Sequence, residues 1–517
     1  MALVLIGFMG AGKSRAARRL AQRRGRTPID GDALLVERFG HSVAREFELH
    51  GEEAFRAAEE EVACGLLERA DAGDVIALGG GSVLSARVRA ALTGHTTALI
   101  EVEPEVAWER VHRGDGAERP LARDREAFDA LYAQRRGLYE EVADVRLLWA
   151  ESASGEYPVF VGSGLLTAAG GHSPSVSVPV SAEERLVAVW PFDHAVSRPF
   201  CVTDVEVEVL YMEGPGELAG LTTMLSGEPA HAIVVPAGEP SKTLVTAEHV
   251  WSELARAGMT RADHLVALGG GVVGDLAGFC AATYQRGVPV VQIPTTLVAQ
   301  VDSAYGGKTG VDLPEAKNYV GAYHQPAAVL VDPDTLRTLP PAELSAGWVE
   351  VLKTALIAGG ELWERVANEA PGAVPQTRTI LECARLKLAV VAEDERDGGR
   401  RQVLNLGHTV GHAIETATAY GRYRHGEAVG LGLLAALRLS GQEQLRAQVH
   451  EMLDARGLPV ALEGASVDVV VAAVSHDKKR VGAASTPFVL VEAPGDVRVG
   501  CEVAEQDVRA AVSELVT

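Results

Sequence analysis

The stretch LVLIGFMGAGKSRAARRL (residues 3–20) decides the fold of the first third of the chain. An apolar run leads into GFMGAGKS (residues 7–14), which matches the pattern G-x-x-x-x-G-K-[ST], and a segment with helical periodicity follows. Glycines let the backbone N–H groups of such a loop turn toward phosphate oxygens, while Lys13 and Ser14 offer a cation and a magnesium ligand. The stretch therefore predicts a strand, a phosphate-binding loop and a helix, the opening of a parallel α/β domain.

The alternation of apolar runs and helical segments predicts the organisation of the whole chain. It continues to about residue 146, resumes at residue 200, and gives way after residue 339 to long amphipathic helices and one late hairpin, PFVLVEAPGDVRV (residues 487–499). The predicted fold class is α/β: a P-loop parallel-sheet domain over 1–151, a linker at 152–156, a Rossmann-like α/β region over 157–339, and a mainly helical region over 340–517. Residues 171–200 are expected to be irregular.

Composition excludes several classes of protein. The 517 residues include 48 Lys and Arg against 70 Asp and Glu, a net charge of −22, and 47% are hydrophobic, so neither a disordered chain nor a basic nucleic-acid binder is expected. Five scattered cysteines without a CxxC pair favour a reducing cytoplasm over a disulfide framework. No apolar stretch approaches the roughly 20 residues of a membrane span. Because the overall charge repels anions, an anionic substrate must be held by local clusters of Lys and Arg.

Further candidate residues lie in the P-loop domain. Asp30 and Asp32, in PIDGD, follow a second predicted strand, so both carboxylates would face a nucleotide at the carboxyl edge of the sheet. Isolated arginines and a glycine triplet complete the set, although each arginine alone is typical of a solvated surface: Arg56, Gly79, Gly80, Gly81, Arg119 and Arg135.

Taken together, these residues resemble shikimate kinase over residues 2–148. The resemblance implies phosphorylation of shikimate by ATP with Mg²⁺, in which Asp32 deprotonates the attacking hydroxyl and Lys13 contacts the transferred phosphate. It assigns ATP to Gly10, Ala11, Gly12, Lys13, Ser14 and Arg119, and Mg²⁺ to Ser14 and Asp30. It assigns shikimate to Asp32, Arg56, Gly79, Gly80, Gly81 and Arg135. The helix expected after the last kinase strand is short here, which leaves open a nucleotide-binding module without turnover.

A second set of motifs lies further along the chain. GGGVVGD (residues 269–275) contains G-x-G-x-x-G after a predicted strand, a weak signal alone, and PAGEPSK (236–242) and IPTT (293–296) end strands at the same predicted sheet edge. In the helical region, two histidines four residues apart, a third histidine and a glutamate could hold a metal and leave an open position for a substrate oxygen: Glu350, His408, His412 and His425. Basic and amide residues nearby suggest a phosphorylated, polyhydroxylated substrate.

This second pattern closely resembles 3-dehydroquinate synthase from about Tyr157 to the C-terminus, through GGGVVGDLAGF, PTTLVAQVDSAYGGKTG, KNYVGAYHQP and NLGHTVGHAIE. The resemblance implies conversion of 3-deoxy-D-arabino-heptulosonate 7-phosphate to 3-dehydroquinate and phosphate, with NAD regenerated in each cycle. It assigns Zn²⁺ or Co²⁺ to Glu350, His408 and His425. It assigns NAD to Glu239, Lys242, Gly271, Val272, Val273, Gly274, Asp275, Thr295, Thr296, Lys308, Lys317, Thr335, Leu336, Arg337 and Thr338. It assigns substrate binding or catalysis to Arg286, Asp302, Lys308, Asn318, Lys353, Lys387, Arg401, Asn405, His412 and one of Lys478 or Lys479.

The two resemblances together imply a fused enzyme that performs two nonconsecutive steps of aromatic amino acid biosynthesis. They also imply a homodimer through the synthase half and small-molecule substrates alone. Asp312 and Asp397 depart from the family pattern, where Asn and Glu are usual. A related sugar-phosphate cyclase, or a metal- and NAD-dependent polyol dehydrogenase, remains an alternative for the second half.

Overall fold

The computed structural model describes residues 1–113, 122, 124–166, 181–193, 196–207, 232–481 and 487–516, with the backbone alone at 476–481. Within these residues, eleven strands form one continuous sheet that crosses both halves of the chain. The predicted α/β class is confirmed. None of the helices in these ranges combines the length and apolar character needed to cross a lipid bilayer.

The first half is the predicted P-loop domain. Its strands are β1 (Leu3–Ile6), β2 (Ile29–Asp30), β3 (Val75–Ala77), β4 (Thr96–Leu99) and β5 (Val145–Ser152), and its helices are α1 (Lys13–Arg23), α2 (Gly31–Phe39), α3 (Val43–Arg69), α4 (Ala86–Leu92), α5 (Pro104–Arg113) and α6 (Arg125–Val142). These five strands are parallel, in the order β2-β3-β1-β4-β5. Strand β1 is buried along its whole length, as its unbroken apolar sequence requires in a sheet covered on both faces.

The second α/β region continues the same sheet. Its elements are β6 (Gly155–Val161), α7 (Ala182–Val189), β7 (Pro199–Asp204), β8 (Ala232–Val235), α8 (Leu244–Arg256), β9 (His264–Gly269), α9 (Gly271–Thr283), β10 (Val290–Pro294), β11 (Lys308–Leu313), β12 (Ala316–Tyr323) and β13 (Ala328–Val331). The order β6-β13-β10-β9-β7-β8 is parallel throughout. Strands β11 and β12 form a separate hairpin, which the motif analysis did not predict.

Strands β5 and β6 join the two halves. They pair antiparallel from Arg146 opposite Val161 to Ser152 opposite Gly155, so the predicted linker 152–156 forms the tip of a hairpin and the start of β6. The reversal means that the carboxyl ends of the P-loop strands and those of the second region leave the sheet at opposite edges.

The last region is mainly helical, as predicted. It contains α10 (Pro341–Ala358), α11 (Gly360–Ala367), α12 (Thr377–Glu393), α13 (His408–Ala417), α14 (His425–Leu439), α15 (Glu443–Asp454), α16 (Val467–Val481) and α17 (Glu505–Ser513), with the predicted hairpin of β14 (Phe488–Ala493) and β15 (Asp496–Cys501). Helices α10 and α14 are buried almost throughout and form the centre of its core.

The expectation of an irregular segment at 171–200 was wrong for its second part. Residues 182–189 form α7, and Pro199 begins β7, while 167–180 lie outside the described residues. Ser181 and Glu184 form a capping box that starts α7, a signal present in the sequence SAEE. The five cysteines are all free, in agreement with the expected absence of a disulfide framework.

Candidate functional site

The phosphate-binding loop lies between β1 and α1, as its motif requires. Gly10 and Gly12 have φ of 80° and 94°, a conformation that favours glycine, and a Cβ on Gly10 would lie 2.7 Å from the carbonyl oxygen of Ala107. The Lys13 ammonium donates to the carbonyl oxygens of Gly7 at 2.9 Å and Phe8 at 3.2 Å. The loop therefore exposes backbone N–H groups at the amino end of α1, where an anion is favoured. The other predicted ATP residues Ala11 and Ser14 belong to the same turn.

The predicted acids follow β2. Asp30 caps α2, since its Oδ1 accepts the N–H groups of Asp32 at 3.0 Å and Ala33 at 3.4 Å. A Cβ on Gly79 would lie 2.8 Å from Oδ1 of Asp32, so the glycine triplet and this carboxylate are neighbours. Both carboxylates thus stand at the same sheet edge as the phosphate-binding loop.

The predicted arginines meet at the glycine triplet. A Cβ on Gly81 would overlap the Arg56 guanidinium, and Arg135, which is buried, donates to the carbonyl oxygen of Gly80 at 3.2 Å. Burial lowers the pKa of Arg135 from its ordinary value, although nearby Tyr139 opposes the shift. The structure therefore brings Asp32, Arg56 and Arg135 together around a glycine surface, whereas Arg119 lies outside the described residues.

Two residues of this site were not predicted. The buried carboxylate of Glu59 pairs with Arg56 Nη1 at 2.5 Å and accepts from Ser82 at 3.1 Å, and the Tyr139 hydroxyl donates to the Gly80 carbonyl at 2.5 Å. Glu59 stands in the run EEE, where sequence cannot distinguish it from its neighbours. These contacts fix the orientation of Arg56 and the glycine turn.

Three residues of the helical region form a metal-competent cluster: Glu350 on α10, His408 at the start of α13 and His425 at the start of α14. Their candidate ligand atoms lie within 4.8 Å of one another. Nε2 of His408 and Nε2 of His425 approach the same oxygen, Glu350 Oε1, at 3.6 and 3.5 Å. Glu350 is fully buried; its Oε2 pairs with Lys353, while its Oε1 accepts no regular hydrogen bond from the described residues. A buried carboxylate in this state fits a cation between it and the two imidazoles.

The charges around this cluster act strongly on one another. Burial by itself would raise the pKa of Glu350, but Lys353, whose Nζ lies 2.5 Å from Oε2, together with His408 and His425 holds the pKa well below its usual range. Burial, reinforced by Lys353, lowers the pKa of His408, which leaves a neutral imidazole to offer its lone pair. Burial also opposes a charge on His425, yet Glu350 and Glu415 raise its pKa to about 10. A bound cation would take the place of that proton.

His412 and Glu415 extend the cluster on α13. With His425 they form a second group of possible ligands within 4.8 Å. Glu415 was not predicted to act at the site, although it stands three residues after His412, on the same face of the helix. Its carboxylate also lies 3.3 Å from Nζ of Lys317, which in turn lies 4.5 Å above the ring of Tyr420.

His425 of the cluster lines a large cavity of about 1780 Å³ that the second α/β region shares. The helical region also contributes His412 and Glu415 to the lining, and the α/β region contributes Gly271 and Thr296. Gly271 begins α9, so the amino end of that helix faces the cavity, at the carboxyl edge of β9 and β10. Further predicted residues line it as well: Glu239, Lys242, Val272, Asp275, Thr295, Asp302, Lys317, Asn318 and Thr338.

Lys242 is the central cation of the glycine-rich side. Its Nζ donates to Asn318 Oδ1 at 2.7 Å and lies 3.1 Å from Glu239 and 3.3 Å from Asp275. Burial raises the pKa of Asp275 to about 6, although the Lys242 ammonium opposes the shift. Asp312, the departure from the family pattern, lies 3.8 Å from the same ammonium and accepts the N–H of Asn318 at 2.7 Å.

Asp302 links the cavity to two buried lysines. It pairs with Lys387 and lies 3.8 Å from Lys353, and both lysine side chains are almost completely buried. Burial alone would raise the pKa of Asp302, but Lys387 and Lys353 hold it far below its usual range. The arrangement presents fixed positive charge beside the metal-competent cluster.

Several predicted residues do not line the cavity. The side chains of Val273 and Leu336 lie in the hydrophobic core, and Thr335 is buried with its hydroxyl accepting from Gln300 at 2.9 Å. Arg337 pairs with Asp334 at 2.9 Å and is mostly exposed. Side-chain contact between these four residues and a ligand in the cavity is therefore not supported.

The remaining predicted substrate residues stand on neighbouring loops. Lys308 pairs with Asp397 at 2.5 Å, Arg401 is buried and donates to the carbonyl oxygen of Gly306 at 3.2 Å, and Asn405 is exposed at the end of a 3₁₀ turn. Arg286 ends up at the opposite end of α9 from Gly271, about 20 Å away for a helix of this length, so the fold separates it from the cavity of its own chain. The side chains of Lys478 and Lys479 lie outside the described residues.

Comparison with known proteins identifies families that cover both halves of the chain. The family model described as shikimate kinase matches residues 9–157, and the models described as the N-terminal and C-terminal parts of 3-dehydroquinate synthase match residues 232–346 and 347–480. The 3-dehydroquinate synthase of Symbiobacterium thermophilum is 42% identical over 373 residues, which cover 68% of this chain and 96% of that protein.

Two solved structures resemble the second half. A 2-epi-5-epi-valiolone synthase from Streptomyces hygroscopicus, with NAD⁺ and Zn²⁺ bound, is 28% identical, has a TM-score of 0.54, and matches over 62% of this chain and 91% of its own. A 2-deoxy-scyllo-inosose synthase complexed with carbaglucose-6-phosphate, NAD⁺ and Co²⁺ has a TM-score of 0.60 at 22% identity over 72% of this chain and all of its own, which shows a shared fold.

Proposed function

The chain belongs to the 3-dehydroquinate synthase family and carries a shikimate kinase domain before it, and from this premise we propose that the two residue sets described above are its active sites. The chain is a bifunctional enzyme of the shikimate pathway. One half transfers a phosphoryl group from ATP to shikimate. The other converts 3-deoxy-D-arabino-heptulosonate 7-phosphate to 3-dehydroquinate and phosphate.

One observation carries the assignment of the synthase site. His425 of the metal-competent cluster and the glycine-rich start of α9 line a single cavity. A metal and a dinucleotide bound in these two places would meet the same substrate. The volume of about 1780 Å³ exceeds the usual range of a small-molecule site, roughly 300 to 1,000 Å³, as expected for a cavity that must hold both a cofactor and a substrate.

We assign the metal, Zn²⁺ or Co²⁺, to Glu350, His408 and His425, because their donor set and the buried carboxylate fit a divalent cation. NAD would place its pyrophosphate at the start of α9, near Gly271 and Thr296. When bound, the metal supplies polarisation of a substrate hydroxyl, and NAD supplies a reversible hydride acceptor.

The protein's own residues then bind and orient the sugar phosphate. Asp302 holds Lys353 and Lys387 in place. Their buried positive charge is therefore already positioned before an anion binds. His412 lines the cavity beside His425, within reach of a ligand bound there. These groups orient an anionic substrate and neutralise charge that develops on it, which is where most of the rate enhancement of such a site arises.

The kinase site is assigned in the same way. Lys13 and the backbone N–H groups of its loop neutralise the ATP phosphates, and Ser14 and Asp30 provide oxygen ligands for Mg²⁺. Arg56 and Arg135 bind the carboxylate of shikimate against the glycine triplet. Asp32 lies close enough to that triplet to accept the proton of the attacking hydroxyl.

We further propose the predicted organisation, a homodimer formed through the synthase half, and a cytoplasmic location. The proposed boundaries are 1–151 for the kinase, 157–339 for the NAD-binding region and 340–517 for the metal-binding region, with 152–156 as the connection.

The decisive experiment is a paired assay on the purified full chain. Phosphate release from the heptulosonate phosphate with catalytic NAD and Zn²⁺ tests the synthase, and shikimate-dependent ADP formation with Mg²⁺ tests the kinase. Both activities are expected. Phosphate release without ADP formation would reduce the kinase half to a nucleotide-binding module, and net accumulation of NADH with a polyol would indicate a dehydrogenase.

A further inference from the structure

The helix that follows the phosphate-binding loop is bound to the synthase half at its far end. Arg23, in the last turn of α1, donates through Nη1 to the carbonyl oxygen of Ala327 at 2.8 Å and through Nη2 to that of Glu156. Ala327 immediately precedes β13, and Glu156 lies in β6. One guanidinium thus joins the kinase helix to two strands of the synthase sheet.

Two more arginines of the same segment reinforce this connection. Arg19 pairs with the Glu156 carboxylate and lies 3.5 Å from Glu151, and Arg24 donates to the carbonyl oxygen of Ala188 at 2.5 Å. Arg24 is buried, and its Nε and Nη1 have no hydrogen-bond partner among the residues that the structure describes. A buried cation that is poorly compensated persists only where the surrounding structure fixes it. Here it satisfies a carbonyl in the last turn of α7.

The apolar face of α1 also packs against the synthase half. Ala16, Ala17 and Leu20 belong to one hydrophobic core with Phe160 of β6 and Trp190, which follows α7. The helix therefore packs on side chains from both halves. Interfaces between domains that are joined only by a linker are smaller and more polar than a shared hydrophobic core.

The path of the chain between the two halves explains why α1 packs against the synthase half. Strand β5 runs directly through the hairpin tip into β6, and no helix intervenes. The kinase sheet ends at β5, so the synthase elements β6, β13 and α7 cover the flank of α1.

We propose that Arg23, supported by Arg19 and Arg24, is a positioning residue for the kinase reaction: it fixes α1 against the synthase half and thereby sets the position of Lys13 and Ser14 at the other end. The inference rests on the kinase function proposed above. Helix α1 has 11 residues, about 16 Å in length, so a tilt of about 5° at its last turn displaces its first turn by about 1.4 Å. Displacements of about 1 Å in a catalytic group can cost about 100-fold in rate.

The test uses the full chain with Arg23→Ala and the conservative Arg23→Lys. Arg26→Ala is the matched control, because Arg26 is an exposed arginine three residues beyond Arg23 and lies next to Gly73 of the kinase half. We expect Arg23→Ala to raise the KM for ATP and the Kd for Mg·ADP about tenfold. The KM for shikimate should stay within about twofold, because Arg56, Gly81 and Arg135 belong to other elements. Arg23→Lys should restore part of the nucleotide affinity, and Arg26→Ala should resemble the wild type.

Synthase activity of the same preparations reports whether the variant is folded. Unchanged ATP and ADP affinity in Arg23→Ala would overturn the proposal, and so would a parallel loss of shikimate affinity and synthase activity, which indicates general destabilisation. Should Arg23→Ala fail to fold, Glu156→Gln removes one of the two anionic partners of Arg19 and keeps the backbone carbonyl that Arg23 contacts. About a two- to threefold rise in the Mg·ADP Kd is then expected, and an unchanged Kd would overturn the proposal. If the wild type phosphorylates no shikimate, the proposed function fails, yet the Mg·ADP titrations still decide the role of Arg23, since binding requires no turnover.

Discussion

The two proposed active sites of this chain are assembled in opposite ways. The phosphate site of the kinase half consists of consecutive residues, 7–14, whose backbone conformation creates it. The metal-competent cluster of the synthase half draws Glu350, His408 and His425 from three helices. A local site depends on glycine conformations, whereas a dispersed site depends on packing. Substitutions should therefore disable one half and spare the other.

The sites also differ in how deeply their charges are buried. Glu350 and Lys353 are fully buried and paired, so removal of either partner leaves an uncompensated charge in the core. In the kinase half, the side chain of Arg56 remains 22% exposed, and its charge is shared between Glu52 and Glu59. Electrostatic changes should accordingly have larger effects in the synthase half.

The largest effect is expected for Glu350→Gln. A neutral amide cannot supply the anionic ligand, and Lys353 loses its partner, so the rate of phosphate release should fall on the order of 1,000-fold. Metal analysis should show loss of the bound divalent ion, while the kinase activity stays intact. Glu361→Gln is the matched control, because the Glu361 side chain is 77% exposed. A Glu350→Gln enzyme with full metal content and normal phosphate release would refute the metal assignment.

Lys13→Ala should have the opposite effect: it should disable the kinase half and spare the synthase half. The ammonium lies at the centre of the phosphate-binding loop, and its loss should lower shikimate-dependent ADP formation about 100- to 1,000-fold. Synthase activity should equal that of the wild type, since no described contact of Lys13 reaches that half. Persistent ADP formation would mean that the loop is not the nucleotide site.

Asp275→Asn should change how the stability of the chain depends on pH. Burial raises the pKa of Asp275 to about 6, above the unfolded value of about 3.9, so the folded chain retains a proton that the unfolded chain has lost. The contribution of Asp275 to stability is therefore present below about pH 4 and is lost as pH rises through about 6, a change of about 3 kcal/mol.

Urea denaturation of the full chain at several pH values between 4 and 7 measures this slope. Asp275→Asn should remove that part of it, and the exposed Asp496→Asn should not. An identical slope in wild type and Asp275→Asn would contradict the assignment.

The smallest effect is expected for Gly81→Ala. The added methyl group would overlap the Arg56 guanidinium, the far end of a flexible side chain that can move aside. We expect the KM for shikimate to rise about tenfold, the value of one lost charged contact, with little change in the KM for ATP. Gly137→Ala, in helix α6 with open space around it, should leave both constants unchanged. Equal KM values for shikimate in the two variants would place its carboxylate elsewhere.

The relative orientation of the halves bears on their cooperation. Because β5 and β6 are antiparallel, the carboxyl edge that carries the kinase site and the one that carries the synthase cavity face away from each other at the junction. The product of one reaction is not the substrate of the other. The shared sheet thus serves stability and the position of α1, and it offers no common chamber.

The sequence alone indicated the P-loop domain and most strands of both regions, and it predicted the metal ligands. The reason is that these signals are local: a glycine motif next to an apolar run fixes its own backbone, and helical spacing fixes which residues share a face. Specific motifs then supplied the chemistry. By contrast, the sequence did not indicate the hairpin of β11 and β12, because its residues belong to motifs that were interpreted as binding residues.

Only the tertiary structure decided which groups surround the sites and how the halves meet. Glu59 and Glu415 are ordinary acids in the sequence, and each becomes a partner of a functional residue because distant elements pack together. Arg286 carries the right charge but is separated from the cavity by the length of α9. The short polar segment at 152–156 has the composition of a linker, yet strand pairing on both sides converts it into the hairpin that makes one sheet of two enzymes, because pairing depends on residues far apart in the chain.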